Sequence, residues 1–190
     1  RTRTYLGESI YGTDVFAGSA GPVILFGSLF GATQEARYRD IAESGALWIE
    51  SQTRGALTAP KRDLSLYHGV AGQGMTFLNL YEQTQRARWL DLSHTRAKAL
   101  RNVSYSAEDV LSGAAGAGIF LIRLYQATED PTVLDLASAA ADHLFNEAIV
   151  NDDGWHWRWH RRSGTFDGIG FAHGAAGIAY FLAELSRYTD

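Results

Sequence analysis

The sequence predicts an all-α protein made of repeated helical hairpins, the kind of array that can close into an α/α toroid. Two observations predict this fold class. A Gly-x-Ala-Gly motif occurs four times along the chain, and the residues that follow each copy agree in register. Each complete copy has an apolar segment followed by an amphipathic one, both with helical periodicity. With 190 residues, the chain is expected to form about half of a full ring.

The four copies agree well beyond the motif itself. The motif begins at Gly18, Gly69, Gly113 and Gly174. A leucine follows eleven residues later in every copy, at Leu29, Leu80, Leu124 and Leu185. A threonine follows after fifteen residues, at Thr33, Thr84, Thr128 and Thr189, and an aspartate after twenty-two in the first three copies, at Asp40, Asp91 and Asp135. We expect the threonine to stop or cap the first helix and the aspartate to lie in the first turn of the second.

We interpret the whole chain, 1–190, as one partial domain with units that start near residues 14, 65, 109 and 170. The motif copies are 51, 44 and 61 residues apart, a spacing typical of helical-hairpin arrays. The fourth unit reaches Asp190 before its amphipathic helix, which would leave an apolar face exposed. We therefore expect the natural protein to continue past Asp190, or another chain to cover this end.

The first helix of each unit is predicted to be buried on most sides. The segments 113–125 and 174–185 each carry a single charged residue, and a helix that is apolar nearly all round is buried nearly all round. The second helices carry an apolar stripe opposite a charged face. The predicted stripes are Tyr38, Ile41, Ala42, Trp48 and Ile49; Trp89, Leu92, Ala99, Leu100 and Val103; and Val133, Leu136, Ala137, Ala140 and Leu144.

The composition excludes several classes of protein. Hydrophobic residues make up 46% of the chain, which is enough for a core and argues against disorder. The net charge of −4, with both signs scattered, argues against a nucleic-acid binder. The absence of cysteine excludes a disulfide scaffold and a thiolate metal site within the chain. Because the sequence shows neither a membrane span nor a signal peptide, we expect a cytoplasmic location and no membrane partner.

An insertion in the third unit alternates tryptophan with basic residues. Trp155, Trp157 and Trp159 have one parity, and His156, Arg158 and His160 have the other. Turn residues flank this run, so it predicts a short strand. On a strand the two histidines would lie roughly 13 Å apart, too far to share one metal ion. We expect a packed loop with a basic outer face and no metal site; a second hypothesis is that Arg158 meets an acidic or extended peptide.

Polar residues precede the motif glycines at two fixed positions. The residue just before the glycine is Ala17, His68, Ser112 or His173, and the residue four before it is Asp14, Ser65, Asp109 or Gly170. Because the inner helices begin here, their dipoles favour a carboxylate and a neutral imidazole, which suit proton transfer near neutral pH. Helix capping is the preferred interpretation for Asp14 and Ser112. For His68, a structural and a functional role both remain open.

Three of these segments resemble signatures of lanthionine synthetase C proteins. The segment 109–118, Asp-Val-Leu-Ser-Gly-Ala-Ala-Gly-Ala-Gly, is similar to their aspartate-containing signature. The segment 170–178, Gly-Phe-Ala-His-Gly-Ala-Ala-Gly-Ile, resembles their His-Gly-x-Ala-Gly-Ile signature, and 65–72 resembles an earlier repeat. The resemblance covers essentially the whole chain. It implies an α/α toroid of seven glycine-rich hairpins, of which this chain would supply three and half of a fourth.

The resemblance also implies a reaction. These cyclases add a peptide cysteine thiol to dehydroalanine or dehydrobutyrine, and a zinc ion, usually held by two cysteines and a histidine, activates the thiolate. By motif match, His173 corresponds to the general acid or base, and Asp109 corresponds to the residue that positions it or tunes its charge. Apart from this match, His68 and Arg158 are candidate substrate-binding residues. The zinc ligands would belong to later repeats, so we expect no cofactor within this chain and no activity from it alone. The expected partners are a peptide with dehydroamino acids and the remainder of the ring.

Three alternatives remain open. A non-cyclising relative would add glutathione to dehydroamino acids, or act as a binding scaffold, with the same Asp109 and His173. An α/α-barrel carbohydrate enzyme would need two carboxylates across the scissile bond, and Asp14 and Asp109 occupy matching repeat positions. A purely structural repeat protein would keep every activity after His173→Ala or Asp109→Ala.

Overall fold

The computed structural model describes residues 4–5, 8–9, 12–59, 62–152, 154–161 and 164–189. Its helices are α1 (Ala20–Thr33), α2 (Ala36–Thr53), α3 (Val70–Thr84), α4 (Ala87–Lys98), α5 (Ala114–Thr128), α6 (Pro131–Glu147) and α7 (Ala175–Leu185), with a 3₁₀ turn at Arg54–Ala56. Its strands are β1 (Thr4–Tyr5), β2 (Glu8–Ser9), β3 (Ile149–Asn151), β4 (Gly154–His156), β5 (Arg158–Arg161) and β6 (Gly164–Asp167). The strands form three small antiparallel hairpins, so the predicted all-α class is confirmed.

The helices pack as a row of hairpins. Helix α1 packs on α2, α3 on α4 and α5 on α6. The first helices of the units also touch one another in sequence order, α1 with α3, α3 with α5 and α5 with α7. This is the predicted alternation of inner and outer helices, and it is compatible with an arc of a toroid.

Burial of the inner helices follows the prediction in the middle of the row and departs from it at the ends. In α3 and α5, nine residues each are buried, including the second motif glycine and the motif alanine. Helices α1 and α7 each touch one inner neighbour and leave apolar side chains in solvent. Leu25 is 56% exposed and Tyr180 is 46% exposed. The prediction of burial on most sides is therefore wrong for these two helices.

Phenylalanine rings set the spacing between neighbouring inner helices. The ring of Phe120 in α5 lies against Gly74 in α3, and the ring of Phe181 in α7 lies against Gly118 in α5. A Cβ atom on either glycine would overlap the ring. Both phenylalanines are fully buried, so the third unit docks on the second, and the fourth on the third, through a ring placed over a glycine.

The repeated leucine and threonine are partners in one hydrogen bond. The threonine Oγ1 donates to the leucine carbonyl oxygen four residues earlier in Thr33, Thr84, Thr128 and Thr189, at 2.8, 2.7, 2.8 and 3.3 Å. Thr33, Thr84 and Thr128 are the last residues of α1, α3 and α5, and their hydroxyls also accept the backbone N–H two residues later. The predicted role of threonine at the helix end is confirmed for these three units.

The repeated aspartate does not lie where we expected it. Asp40, Asp91 and Asp135 are each the fifth residue of their helix, and no acidic residue occupies the first turn of α2, α4 or α6. The prediction of a first-turn aspartate is wrong because these helices begin earlier than the sequence suggested. Asp130 instead caps α6, where its side chain accepts the N–H of Thr132 at 2.9 Å.

The apolar stripes of the outer helices are largely as predicted. The α6 stripe is buried throughout. In α2 the buried residues are Ala42, Ala46, Ile49 and Thr53, which places Ile41 to one side, 48% exposed. Helix α4 ends at Lys98, so Ala99, Leu100 and Val103 follow the helix rather than continue its stripe.

The tryptophan-rich insertion forms two strands of different hairpins rather than one strand. Strand β4 pairs with β3, and β5 pairs with β6. Trp157 separates them because its ring turns into the core, 7% exposed, and its Nε1 donates to the carbonyl of Leu144 at 2.7 Å. Trp155 is 54% exposed. His156 and His160 fall in β4 and β5, and the side chain of His160 lies outside the described residues, so their separation stays a prediction.

No helix in the described ranges has the length and apolar character needed to cross a membrane.

Candidate functional site

The loops that precede the inner helices are joined into one ribbon by backbone hydrogen bonds. The N–H of Phe16 donates to the carbonyl of Tyr67 at 3.1 Å, the N–H of Tyr67 to Leu111 at 3.3 Å, and the N–H of Leu111 to Ala172 at 3.1 Å. Each of these residues lies two positions before a motif glycine. The ribbon therefore holds the N-terminal ends of the four inner helices side by side.

Both motif glycines are needed because these loops fold tightly against the helix starts. A Cβ atom on Gly69 or Gly113 would collide with the backbone carbonyl six residues earlier. The second glycines, Gly72 and Gly116, face the carbonyl six residues before them in the same way. The glycines are therefore repeated because two backbone segments approach closely at these positions, and not because the helix favours glycine.

In the first three units, the side chain four residues before the glycine closes a turn of the loop. It accepts the N–H of the residue just before the glycine: Asp14 Oδ1 from Ala17 at 2.7 Å, Ser65 Oγ from His68 at 3.2 Å and Asp109 Oδ1 from Ser112 at 2.6 Å. Asp14 therefore accepts a backbone N–H, as a capping residue does. The prediction that it caps the helix is wrong, because this hydrogen bond lies in the loop before α1. The N-cap of α5 is Gly113, and no side chain caps it, so Ser112 is not the predicted cap.

The fourth unit departs from this pattern. Gly170 has no side chain to close the turn, and the residue before the motif glycine is His173. Its Nδ1 lies 2.6 Å from Oδ2 of Asp109, in the neighbouring unit. Asp109 is 4% exposed, whereas the His173 side chain keeps 29% of its surface in solvent. One carboxylate thus closes its own loop with one oxygen and binds the next unit's imidazole with the other.

This pair has the chemistry of an oriented acid or base. A carboxylate only accepts hydrogen bonds, so the Nδ1 of His173 carries the hydrogen. The bond fixes the ring orientation and the tautomer.

The pair lies in a small pocket whose other walls come from the tryptophan-rich insertion and from the loop before α5. Trp157, Arg158 and Glu108 line the pocket with Asp109 and His173. Burial raises the pKa of the Glu108 carboxyl, and Glu147 and Asp109 act in the same direction, against its own backbone N–H and His143. We did not predict Glu108 from the sequence; its place next to Asp109 was the available signal. The exposed Arg158 lines the same pocket as the predicted pair, Asp109 and His173.

His68 does not share this pocket. It lines a separate cavity between the first and second units, and its ring packs edge-on against Phe16 with centroids 5.2 Å apart. The structure therefore brings together three of the four predicted site residues, Asp109, Arg158 and His173, and leaves the fourth apart.

A row of helical hairpins, with a carboxylate–imidazole pair where the inner helices begin, defines a repeat protein with a candidate acid–base site. The family model described as lanthionine synthetase C-like protein matches residues 9–190. The chain belongs to this family, so the resemblance seen in the motifs is confirmed. No curated protein matches the chain.

The zinc ion that the family implies does not fit the described residues of this chain. They contain no group of three or more His, Cys, Asp or Glu side chains that could hold a metal ion, and the sequence has no cysteine. Structural and catalytic zinc sites use at least three protein ligands.

Proposed function

We propose that this chain is the acid–base part of a lanthionine cyclase. In the reaction, a peptide cysteine releases its thiol proton to solvent, and its sulfur bonds to Cβ of dehydroalanine or dehydrobutyrine. The electrons of the carbon–carbon double bond move to the carbonyl as an enolate, and a proton is then added at Cα. We assign this proton transfer to His173 and the orientation of its ring to Asp109.

One observation carries this proposal: the 2.6 Å contact between Asp109 Oδ2 and His173 Nδ1. A buried carboxylate that holds a partly exposed imidazole is the usual way to prepare a histidine for proton transfer. Both residues also match the family's two signatures, and the family match covers them. A structural pair would need neither the solvent-facing ring nor a pocket beside it.

The pocket walls suggest how a peptide would be held. Trp157 supplies a buried apolar wall, and the exposed Arg158 supplies donors for a peptide carbonyl or an acidic side chain. His68, in the next cavity along the same ribbon, is a candidate contact for a more distant part of the peptide. We also propose that zinc and the rest of the ring come from later repeats, that the reaction takes place in the cytoplasm, and that this chain alone is inactive.

The test uses the full-length natural protein and a peptide that contains one cysteine and one dehydroalanine. Cyclisation leaves the mass unchanged, so free thiol is counted by alkylation and mass spectrometry. His173→Ala and Asp109→Ala should slow thiol loss by about 10²-fold or more. Asp14→Ala is the matched control because Asp14 occupies the same repeat position without a histidine partner. An unchanged rate in His173→Ala would contradict the proposal and favour a structural scaffold.

A second arm separates cyclisation from glutathione addition. A peptide with dehydroalanine but no cysteine is incubated with glutathione, and its mass is followed. The cyclase proposal predicts no enzyme-dependent adduct. An adduct that depends on His173, together with no ring formation in the first arm, would assign the pair to the non-cyclising alternative.

A further inference from the structure

A second charged group is buried in the second unit, away from the His173 pocket. Arg96 in α4 is 1% exposed, and no carboxylate oxygen among the described residues lies within 4.0 Å of its guanidinium. Its Nη2 donates to Thr53 Oγ1 at 2.6 Å, and its Nε donates to Gln73 Oε1 at 3.2 Å. Burial lowers the pKa of Arg96 to about 10, against the raising effect of Glu50, so the group is charged at neutral pH.

The other units show that packing does not require this charge. The residues twenty-seven positions after the motif glycine are Gly45, Arg96 and Ala140 in the three complete units. The partner position, four after the glycine, holds Pro22, Gln73, Ala117 and Ile178. Ala140 and Ala117 are fully buried in the third unit, which closes its hairpin with small apolar side chains. Moving a charge out of water into the interior is costly. The presence of this buried charge in one unit alone therefore indicates a function other than packing.

One of the two side-chain hydrogen bonds of Arg96, the bond to Gln73, leads on towards a cavity; the hydroxyl of the other partner, Thr53, donates to the carbonyl of Ile49. Because Gln73 Oε1 accepts from Arg96, its amide nitrogen faces away, and Nε2 donates to Thr13 Oγ1 at 3.2 Å. A hydroxyl has one hydrogen to donate, and that of Thr13 remains available because Gln73 is the donor in their bond. The positive charge of Arg96 thus lies behind a chain of hydrogen-bond donors that ends at the cavity wall. Thr13, Thr53 and Gln73 line this wall.

The remaining walls carry charges of both signs. The cavity has a volume of about 490 Å³, and it is lined by Gly69, the N-cap of α3, and by Val70, the first residue of that helix. Arg62 also lines it, and the buried Nε of Arg62 has no hydrogen-bond partner. Two acidic side chains also line the wall, and one oxygen of each accepts a backbone N–H: Asp14 Oδ1 from Ala17, and Asp63 Oδ1 from Ser65.

We propose that this cavity is a binding site for a ligand with a carboxylate group, which accepts from Thr13 and Gln73 with the charge of Arg96 behind them. The site is separate from the His173 pocket, and the proposal does not depend on the cyclase assignment.

The test measures glutarate binding to the full-length natural protein by isothermal titration calorimetry. Glutaramide is the uncharged analogue, and inorganic phosphate is the second oxyanion. We expect glutarate to bind and glutaramide not to bind. Arg96→Met should weaken binding at least about tenfold because it removes the positive charge behind the site. Thr13→Val should weaken binding at least about tenfold because it removes a hydrogen-bond donor to the charged carboxylate. Arg101→Met, an exposed arginine just after α4, should leave the dissociation constant within about twofold.

Three results would overturn the proposal. The first is no glutarate binding, and the second is binding that survives both Arg96→Met and Thr13→Val. The third is phosphate binding that is tighter than glutarate binding and is lost in the same variants, which would reassign the ligand chemistry. If Arg96→Met fails to fold, Thr13→Val decides alone. The proposal has the ligand accept a hydrogen bond from Thr13, so wild-type glutarate binding by Thr13→Val would overturn it.

Discussion

Asp109 Oδ2 lies 2.6 Å from His173 Nδ1, although the two residues are 64 positions apart in sequence. The other oxygen of the same carboxylate holds the loop of its own unit through the N–H of Ser112. Asp109 therefore links the third unit to the fourth, and any loosening between the two units would also move the imidazole. Stability and the candidate chemistry are coupled at this residue.

Replacing Asp109 by alanine should destabilise the fold more than the same change at Asp14. Asp109→Ala leaves the partly buried N–H of Ser112 and the Nδ1 of His173 without this acceptor, at about 1–3 kcal/mol in free energy of unfolding. Asp14→Ala removes one bond in an exposed loop and should cost about 1 kcal/mol or less. Urea denaturation followed by circular dichroism measures both. Equal losses would show that the contact with His173 contributes no stability.

The second motif glycine of the third unit should tolerate no side chain. In Gly116→Ala, the new Cβ would overlap the carbonyl of Val110, and the loop that carries Asp109 would have to move. We expect a loss of more than about 2 kcal/mol, comparable to overpacking in a core. Gly170→Ala is the matched control because nothing lies within 4 Å of the added carbon, so it should be neutral or slightly stabilising. Thermal melts with a loss in Gly170→Ala as large as that in Gly116→Ala would contradict this explanation of the repeat.

The threonine–leucine hydrogen bond should contribute to stability in proportion to its burial. Thr128→Val keeps the shape but removes the bond to the Leu124 carbonyl, and should cost about 1 kcal/mol. Thr33→Val removes the equivalent bond in an exposed position and should cost less. Chemical denaturation of the two variants gives the comparison. A larger loss in Thr33→Val would mean that the bond stabilises through the local helix end rather than through burial.

The pH dependence of stability should identify Glu108 as a group that is costly to ionise. Because burial raises its pKa in the folded state, the folded chain keeps this proton after the unfolded chain has lost it. Stability contributed by the protonated carboxyl is therefore present at low pH and is lost as the pH rises from the ordinary value of 4.5 through the raised folded value. Glu108→Gln should match the wild type below that window and exceed it at pH 7.

The control for this experiment is Glu129→Gln, at the other end of α5. Glu129 has a positive φ of 53°, and Gln34 and Gln85 already occupy the equivalent positions with φ of 59° and 56°. The substitution removes the same charge and places a residue type that the fold accepts there. Denaturation midpoints of Glu108→Gln that fall below those of the wild type at pH 7 would contradict the assignment.

Much of the fold could be predicted because the repeat records backbone geometry. The Gly-x-Ala-Gly copies located the start of every inner helix to within two residues, since each glycine is forced by a nearby carbonyl. The position of Ile41 could not be predicted, because two adjacent apolar residues leave the direction of a helical stripe undetermined. Trp157 was placed on a continuous strand because parity does not show that one ring turns into the core and ends the pairing.

The site was predicted in part. Asp109 and His173 stood out by motif and repeat position, but their contact depends on the ribbon that joins successive loops, and no local pattern contains it. His68 and Asp14 occupy the same repeat positions as His173 and Asp109 and line one cavity, yet Asp14 binds the N–H of Ala17 and the His68 ring packs against Phe16. Arg96 was missed, although a comparison with Gly45 and Ala140 in the aligned units would have singled it out.

The most direct test of the central assignment is the stereochemistry of proton addition in D₂O. With the full-length natural protein, thiol addition should place deuterium at Cα in a single configuration, because His173 delivers it from one side. His173→Gln should react about 10²-fold or more slowly and give both configurations, since solvent then supplies the deuteron. A His173→Gln product with one configuration, formed at the wild-type rate, would contradict the account.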